Sequence, residues 1–312
     1  MSPSFNPLRP AVLLGCLLQV WSTSSFAADA WSGSSGIALI DGARVISVHD
    51  VKPRTSEGST GWLGTFDLPS GKKASLSWRH LDSNLAQLSP LPRDVESISL
   101  VPGTSSILIG ESGVIGSNQQ RLFQLVEVGG QWKVIHVFNW PWPLSNTEGM
   151  EVCRVGDHDY FVSAERSDGA SFVELVWSQV DTDSWRFGEV FRTRFVPPAV
   201  RAQVGQRLIS SLSCDEEGRL YGAAAFDPGN ESGPFRSVVF EIGSFHAVKD
   251  LAELKIRHQP VHLMIPGFKV EGLVVTKGEE GSGRRVLIST DDEGMGGTIR
   301  WLDFPTADLL KQ

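Results

Sequence analysis

The sequence predicts an all-β fold, a β-propeller of five blades (six if the blade boundaries are misread), each with about four antiparallel strands. Three observations point there. Short runs rich in Val, Ile, Leu and Phe recur between clusters of Gly, Pro, Asp and Asn along nearly the whole chain, the alternation expected of strands and turns. The 32 Gly and 17 Pro among 312 residues leave little room for long helices. One strand pattern returns five times, starting at residues 35, 96, 148, 211 and 271, with spacings of 61, 52, 63 and 60 residues. Such a period holds four short strands with their loops, and radial repetition of four-stranded sheets is a propeller.

The chain opens with a targeting segment. Arg9 gives a positive start, and Ala11 to Val20 is an apolar core, shorter than the roughly 20 residues a membrane span needs. Ser25-Phe26-Ala27 and Ala28 offer small residues for cleavage. Residues 1–28 therefore read as a signal peptide and 29–312 as a single propeller domain, periplasmic or secreted. A competing reading is the lipoprotein-like Leu13-Leu14-Gly15-Cys16. It would leave Leu17, Leu18, Val20 and Trp21 beside the lipid, where a polar tether is expected. No later stretch is long and apolar enough for a membrane helix.

Each repeat begins with a first strand, at Ser35, Glu96, Glu148, Ser211 or Glu271. Second strands are expected around Val45–Val48, Ile107–Gly110, Tyr160–Ser163, Leu220–Ala223 and Val286–Ser289, and third strands around Trp62–Leu68, Arg121–Val128, Ser171–Val180, Arg236–Ile242 and Thr298–Phe304. The Gly-His and Trp-Asp marks of the shorter WD40 repeat are absent. An all-β sandwich is the competing architecture, but it does not account for the recurrent acidic or small residue before Gly or Ser. After Glu271 there is room for only three strands, which leaves ring closure open. Lys249–His258 is the one window that reads as a short helix, with a strand edge as its alternative. Cys153 and Cys214 sit in apolar strand-like runs and read as two separate buried thiols in preference to a bridge.

Propeller strands run alternately between the two faces. The start of a first strand and the end of a second share one face, which gathers Glu96, Glu148 and Glu271 at one mouth of the channel. Glu111, Glu165, Asp291, Asp292 and Asp50 join them, with Asp227 nearby. Crowded carboxylates raise one another's pKa, and a bound cation relieves the repulsion. Oxygen ligands on irregular loops suit calcium, whereas zinc would want His or Cys and the seven histidines are scattered. Glu96, Glu148, Glu271, Asp291 and Asp292 are thus the candidate calcium ligands. The competing account pairs the acids with Arg54, Arg121, Arg166, Arg236 and Arg300 as solvated salt bridges.

Nucleophile elbows, His-Glu-x-x-His, phosphate-cradling loops and dinucleotide fingerprints are missing. His49-Asp50, at a second-strand exit, and His262, ahead of the last first strand, are the reachable acid–base candidates, although such a His-Asp pair also serves as an ordinary turn. Arg54, Arg121 and Arg166 are the candidates to hold an anionic substrate. Trp140-Pro141-Trp142-Pro143 reads as packing between blades, with a pocket wall as the alternative. A formal charge of -8 argues against gripping a nucleic acid backbone.

Asn146-Thr147-Glu148-Gly149-Met150, Lys269-Val270-Glu271-Gly272-Leu273 and Leu287 to Glu293 resemble segments of the bacterial phytase-like, "esterase-like" β-propellers. Ser35-Gly36-Ile37 leading to Ile46-Ser47-Val48-His49-Asp50 is similar to that family's opening, and the likeness spans most of residues 34–305. The resemblance implies an exported propeller with acidic mouth residues and calcium-assisted phosphoester hydrolysis. Glu-Gly at a first strand also resembles the lactonase-type propellers, where such a Glu binds a divalent ion. The fourth repeat departs from the pattern, with Ser211 in place of Glu and Ala223-Ala224-Ala225 in place of an acidic exit. Two functions remain: a metal-dependent hydrolase of a phosphoester, lactone or other small anionic substrate, or a non-catalytic propeller that binds a ligand or protein through its acidic face. A monomer is expected.

Overall fold

The computed structural model describes residues 33–50, 62–68, 78–113, 120–167, 170–198, 205–248, 251–258, 262–278 and 283–305. The expected signal segment and Arg54 lie outside them. Blade one is β1 (Gly36–Ile40), β2 (Arg44–Val48), β3 (Leu63–Asp67) and β4 (Trp78–His80). Blade two is β5 (Val95–Leu100), β6 (Ile107–Glu111), β7 (Arg121–Val128) and β8 (Gln131–Asn139). Blade three is β9 (Thr147–Val155), β10 (His158–Glu165), β11 (Val173–Asp181) and β12 (Arg186–Phe195). Blade four is β13 (Gln206–Cys214), β14 (Arg219–Phe226), β15 (Arg236–Val248), β16 (Leu251–Ile256) and β17 (His262–Pro266). Blade five is β18 (Val270–Lys277), β19 (Arg284–Thr290) and β20 (Ile299–Phe304). Every ladder between neighbouring strands is antiparallel.

The first strands touch in the cyclic order β1, β5, β9, β13, β18 and back to β1, so five blades close a ring. Five apolar cores fill the five gaps between blades. Ile46, Ile98 and Trp132 pack between blades one and two, and Leu108, Trp142 and Phe161 between two and three. Val162, Ile209 and Phe240 fill the third gap, and Tyr221, Leu273 and Ile288 the fourth. Ile37, Phe66 and Leu287 close the seam between blades five and one, where Ser34 Oγ also donates to Ser289 Oγ at 2.6 Å. Inner strands are covered on both faces, which is why β6 (Ile-Leu-Ile-Gly-Glu) is buried at every position. Outer strands such as β8 and β12 face solvent over much of their length. Trp140 and Trp142 belong to this packing, as their sequence context suggested, and each indole N–H is satisfied, by Glu111 O and Ser163 Oγ, both at 3.0 Å.

Serines stitch the inner strands together. Ser99 Oγ accepts the Val152 N–H, Ser213 Oγ accepts the Val275 N–H, and Ser210 Oγ donates to Val270 O. Each bond joins neighbouring blades where two first strands face one another without a ladder.

Two expectations are corrected. Residues 251–256 form β16, because β15 is long enough to pair β16 through Gly243–Val248 and β17 through Arg236–Phe240. Two short strands thus share the outer position of blade four, and ladder pairing overrides the weak helical pattern. Cys153 and Cys214 form a disulfide. They stand on β9 and β13, adjacent inner strands, with Cα atoms 5.5 Å apart and a sequence separation of 61. Closing such a loop restricts the unfolded chain. Cys153→Ala with Cys214→Ala is therefore expected to cost about 2–4 kcal/mol, read as a lowered denaturant midpoint against the oxidised parent.

Candidate functional site

One mouth of the channel is built from a repeated irregularity. In blade two, Val95 pairs Glu111 and Ser97 pairs Gly110, so Glu96 is an extra residue in its strand. Glu148 is extra between Thr147 and Gly149 opposite Glu165 and Ala164. Glu271 is extra between Val270 and Gly272 opposite Thr290 and Ser289. A bulge re-aims the extra side chain, and all three project into the mouth. The glycine after the Glu serves close packing. A Cβ at Gly272 would lie 2.2 Å from Ser289 Oγ, and one at Gly149 would lie 2.7 Å from Leu212 Cγ. Blade four breaks register over a longer stretch, between Arg207 and Ser211. There Arg207 enters the mouth at the place its neighbours give to Glu, while Ser211 pairs Ala223 deeper in the sheet.

Arg207 joins three blades. Its Nη1 lies 2.8 Å from Glu271 Oε1 and 3.8 Å from Glu148 Oε2, and its Nη2 lies 2.8 Å from Asp227 Oδ2. Burial works against its charge, but Glu271, Glu148, Asp227 and Glu96 more than reverse that and hold the guanidinium firmly protonated. Lys269, almost completely buried, pairs Glu293, Asp291 at 3.4 Å, Glu271 at 3.6 Å and Asp227 at 3.7 Å. Burial also opposes its charge, and Glu271, Asp291 and Glu293 outweigh both that and the repulsion of Arg207. Arg166 pairs Glu148 at 3.0 Å. Asp292 accepts the Lys269 N–H and the Thr290 hydroxyl, each at 2.7 Å, and so fixes the turn beneath Lys269.

The other half of the mouth differs. Asp50, Asp94 and Glu96 bring a carboxylate oxygen each to within 4.8 Å of one another, all partly buried. Asp94 has a positive φ of 53° and accepts a hydrogen bond from the Ser112 hydroxyl; a non-glycine residue in that region is uncommon and is held there by its surroundings. Glu96 forms neither a hydrogen bond nor a salt bridge among the described residues. Its carboxyl is pushed well above the ordinary range, first by burial, then by Glu148, Asp94, Asp50 and Glu271.

The sequence-predicted residues divide accordingly. Glu96, Glu148, Glu271, Asp291, Asp292 and Asp50 lie at this mouth, with Arg166 beside them. Three of the acids, Glu148, Glu271 and Asp291, face Arg207, Arg166 or Lys269. His49 is buried behind Asp50, with Nε2 2.9 Å from Ser47 Oγ and Nδ1 2.9 Å from Gly33 O, and it meets the Trp78 ring edge-on. Arg121 forks onto both carboxylate oxygens of Glu111 at 2.7 and 2.9 Å and onto the carbonyls of Pro90 and Leu91. His262 pairs Phe240 at the outer edge of blade four, away from the mouth. Sequence reasoning passed over Asp94, Arg207 and Lys269. Lys269-Val270-Glu271 was visible as a motif, but the role of its lysine depends on contacts across a turn.

No family model and no curated protein matches this chain. Solved structures with a similar fold include glycoside hydrolases. A thermostable family-43 glycoside hydrolase superposes with a TM-score of 0.57 at 10% sequence identity, covering 89% of this chain and 91% of that one. An exo-β-1,3-galactanase from Clostridium thermocellum superposes with a TM-score of 0.51 at 14% identity, covering 88% of this chain and 60% of that one, so the present chain spans about three fifths of its length. At these identities the likeness is one of fold. Among the described residues no helix is long and apolar enough to cross a membrane.

Proposed function

We propose that the channel mouth binds a divalent cation, calcium by its ligand chemistry, on Asp50, Asp94 and Glu96, and that the protein is a cation-dependent hydrolase of a phosphoester or another small anionic substrate. The observation that carries this reading is the unequal pairing of the mouth. Glu148, Glu271 and Asp291 form salt bridges with Arg or Lys, whereas Glu96 forms none among the described residues, is repelled by four carboxylates and feels Arg207 only at longer range. A hard cation with oxygen ligands relieves that repulsion. Three carboxylates leave coordination positions for water and a substrate oxygen, where a cation polarises the bond to be broken and brings water to it. The phosphoester class rests on the resemblance of the Glu148, Glu271 and Asp291–Glu293 segments to phytase-like propellers. The disulfide and the apolar N-terminal run suit an exported protein, and calcium outside the cell is abundant enough for a weak site.

A second reading draws on Glu96 itself. A carboxyl kept protonated beside ionised carboxylates is the pairing that glycoside cleavage uses. One experiment separates the two. The mature protein is stripped with a chelator, and its melting temperature and its hydrolysis of aryl phosphates and aryl glycosides are measured with and without calcium. Calcium is expected to raise the melting temperature and to switch on phosphate release, while Asp183→Asn, in an exposed loop, behaves as the parent. Identical melting curves with and without calcium would sink the cation site. Glycoside cleavage by the stripped protein would establish the second reading in its place.

A further inference from the structure

A cavity of about 370 Å³ lies at the other end of the channel, where the first strands finish. All five inner strands line it, with Ile37, Leu39, Leu100, Val152, Val274 and Val275 giving apolar walls. Of the three acidic residues that line it, Asp215 and Glu216 follow β13 at the rim and Glu151 stands on β9. Its Oε1 accepts the Ser99 hydroxyl at 2.5 Å and the Val152 N–H at 3.1 Å. These two bonds fix the plane of the carboxyl. Its Oε2 makes no hydrogen bond among the described residues, and Glu151, half-buried, lines the cavity.

The charged groups at the rim are engaged elsewhere or turned to solvent. Arg154 forks onto Asp159 at 2.8 and 2.9 Å, Asp215 pairs Arg284 at 2.6 Å, and Glu216 is exposed. Glu151 therefore has no counter-charge of its own.

We propose that this cavity is a second binding site, separate from the acidic mouth, for a small ligand with an apolar body and a single ammonium group that Glu151 receives. The volume falls in the range of small-molecule sites, which combine apolar walls with a few placed polar groups. One carboxylate and one hydroxyl are too few oxygens for calcium, which takes six to eight, and a carboxylate repels anions. A carboxylate facing apolar walls gains most from a partner that brings the opposite charge and hydrogen-bond donors together. Burial pushes Glu151 up to about 8, against the pull of its bonds from Ser99 and Val152. An ammonium group favours the ionised form, so binding near neutral pH releases a proton from the carboxyl to solvent.

Calorimetric titration of the full-length mature protein tests this, with hexylammonium, 1-hexanol and methylammonium as probes in buffers of differing ionisation enthalpy. Hexylammonium is expected to bind at least tenfold more tightly than either of the others and to release protons at pH 7. Glu151→Gln keeps the shape of the side chain and should remove the preference for the amine over the alcohol, while Val274→Phe, which fills the cavity, should weaken both. Melting curves of the variants confirm that they fold. Equal affinity for amine and alcohol would overturn the proposal. So would equal affinity for methylammonium, which would place binding at an acidic surface, or an undiminished amine preference in Glu151→Gln, or no binding at millimolar probe.

Discussion

Arg207→Met is expected to lose about 3–5 kcal/mol of unfolding free energy at pH 8, the cost of leaving buried charges without their partner. The guanidinium touches Glu271, Asp227 and Glu148 from three different blades. Met fills a similar volume but neutralises none of them. The deficit should shrink towards pH 5, because the stranded carboxyls then take up protons in the fold. Arg207→Lys should fall between, since one ammonium cannot hold Glu271 and Asp227 with two parallel donors. Denaturant titrations at the two pH values measure both effects. A Met variant as stable as the parent at pH 8 would mean that the carboxylates are relieved in some other way.

Glu96→Gln is expected to separate pH from calcium. The Glu96 pKa is raised in the fold above its unfolded value. Its contribution to stability is therefore fully present below the unfolded value and is lost as pH rises through the folded one. Calcium-free parent protein should accordingly lose stability from about pH 5 upward, and Glu96→Gln should flatten that decline. Calcium replaces the proton, so its stabilising effect should grow with pH in the parent, reaching about 2.7 kcal/mol at a hundredfold excess over Kd. In Glu96→Gln that gain should fall sharply. Melting curves from pH 5 to 9, with calcium or chelator, provide the measurement. A variant that keeps the parent's calcium gain would remove Glu96 from the site.

The blade count was legible because each repeat carries its own apolar pattern, and β7 (Arg121–Val128) matches its sequence reading residue for residue. The placement of Glu96, Glu148 and Glu271 at one mouth was legible for the same reason, since strand polarity alone fixes the face. The partners of those acids were not. Arg207 precedes the apolar run Leu208 to Leu212, so a strand begun at Ser211 leaves it in a loop; only the register break in β13 brings it inward. Asp94 was overshadowed by Glu96 two residues on, because its role depends on a backbone conformation that sequence does not display. Cys153 and Cys214 read as separate thiols because each run looks self-contained. Their proximity is a property of the closed ring, in which β9 and β13 become neighbours. Glu151 escaped notice for a similar reason, as five strands must converge before its surroundings exist.

The bulged residues of β5, β9 and β18 stand outside the regular ladder that holds each blade together, and Arg207, paired with Ala225, is the last ladder residue before the register break of β13. They form a row of sockets around one opening, each fillable with little change to the blade behind it. A mutation in one socket alters the sum of charges in the ring, and a compensating mutation in a neighbouring socket restores it, with the backbone untouched. A ring of this kind can drift among cation-binding, acid–base and anion-binding mouths while its blades stay fixed. Shared architecture with distant hydrolases is then compatible with a different ligand, and the side chains in the four sockets are where that difference is written.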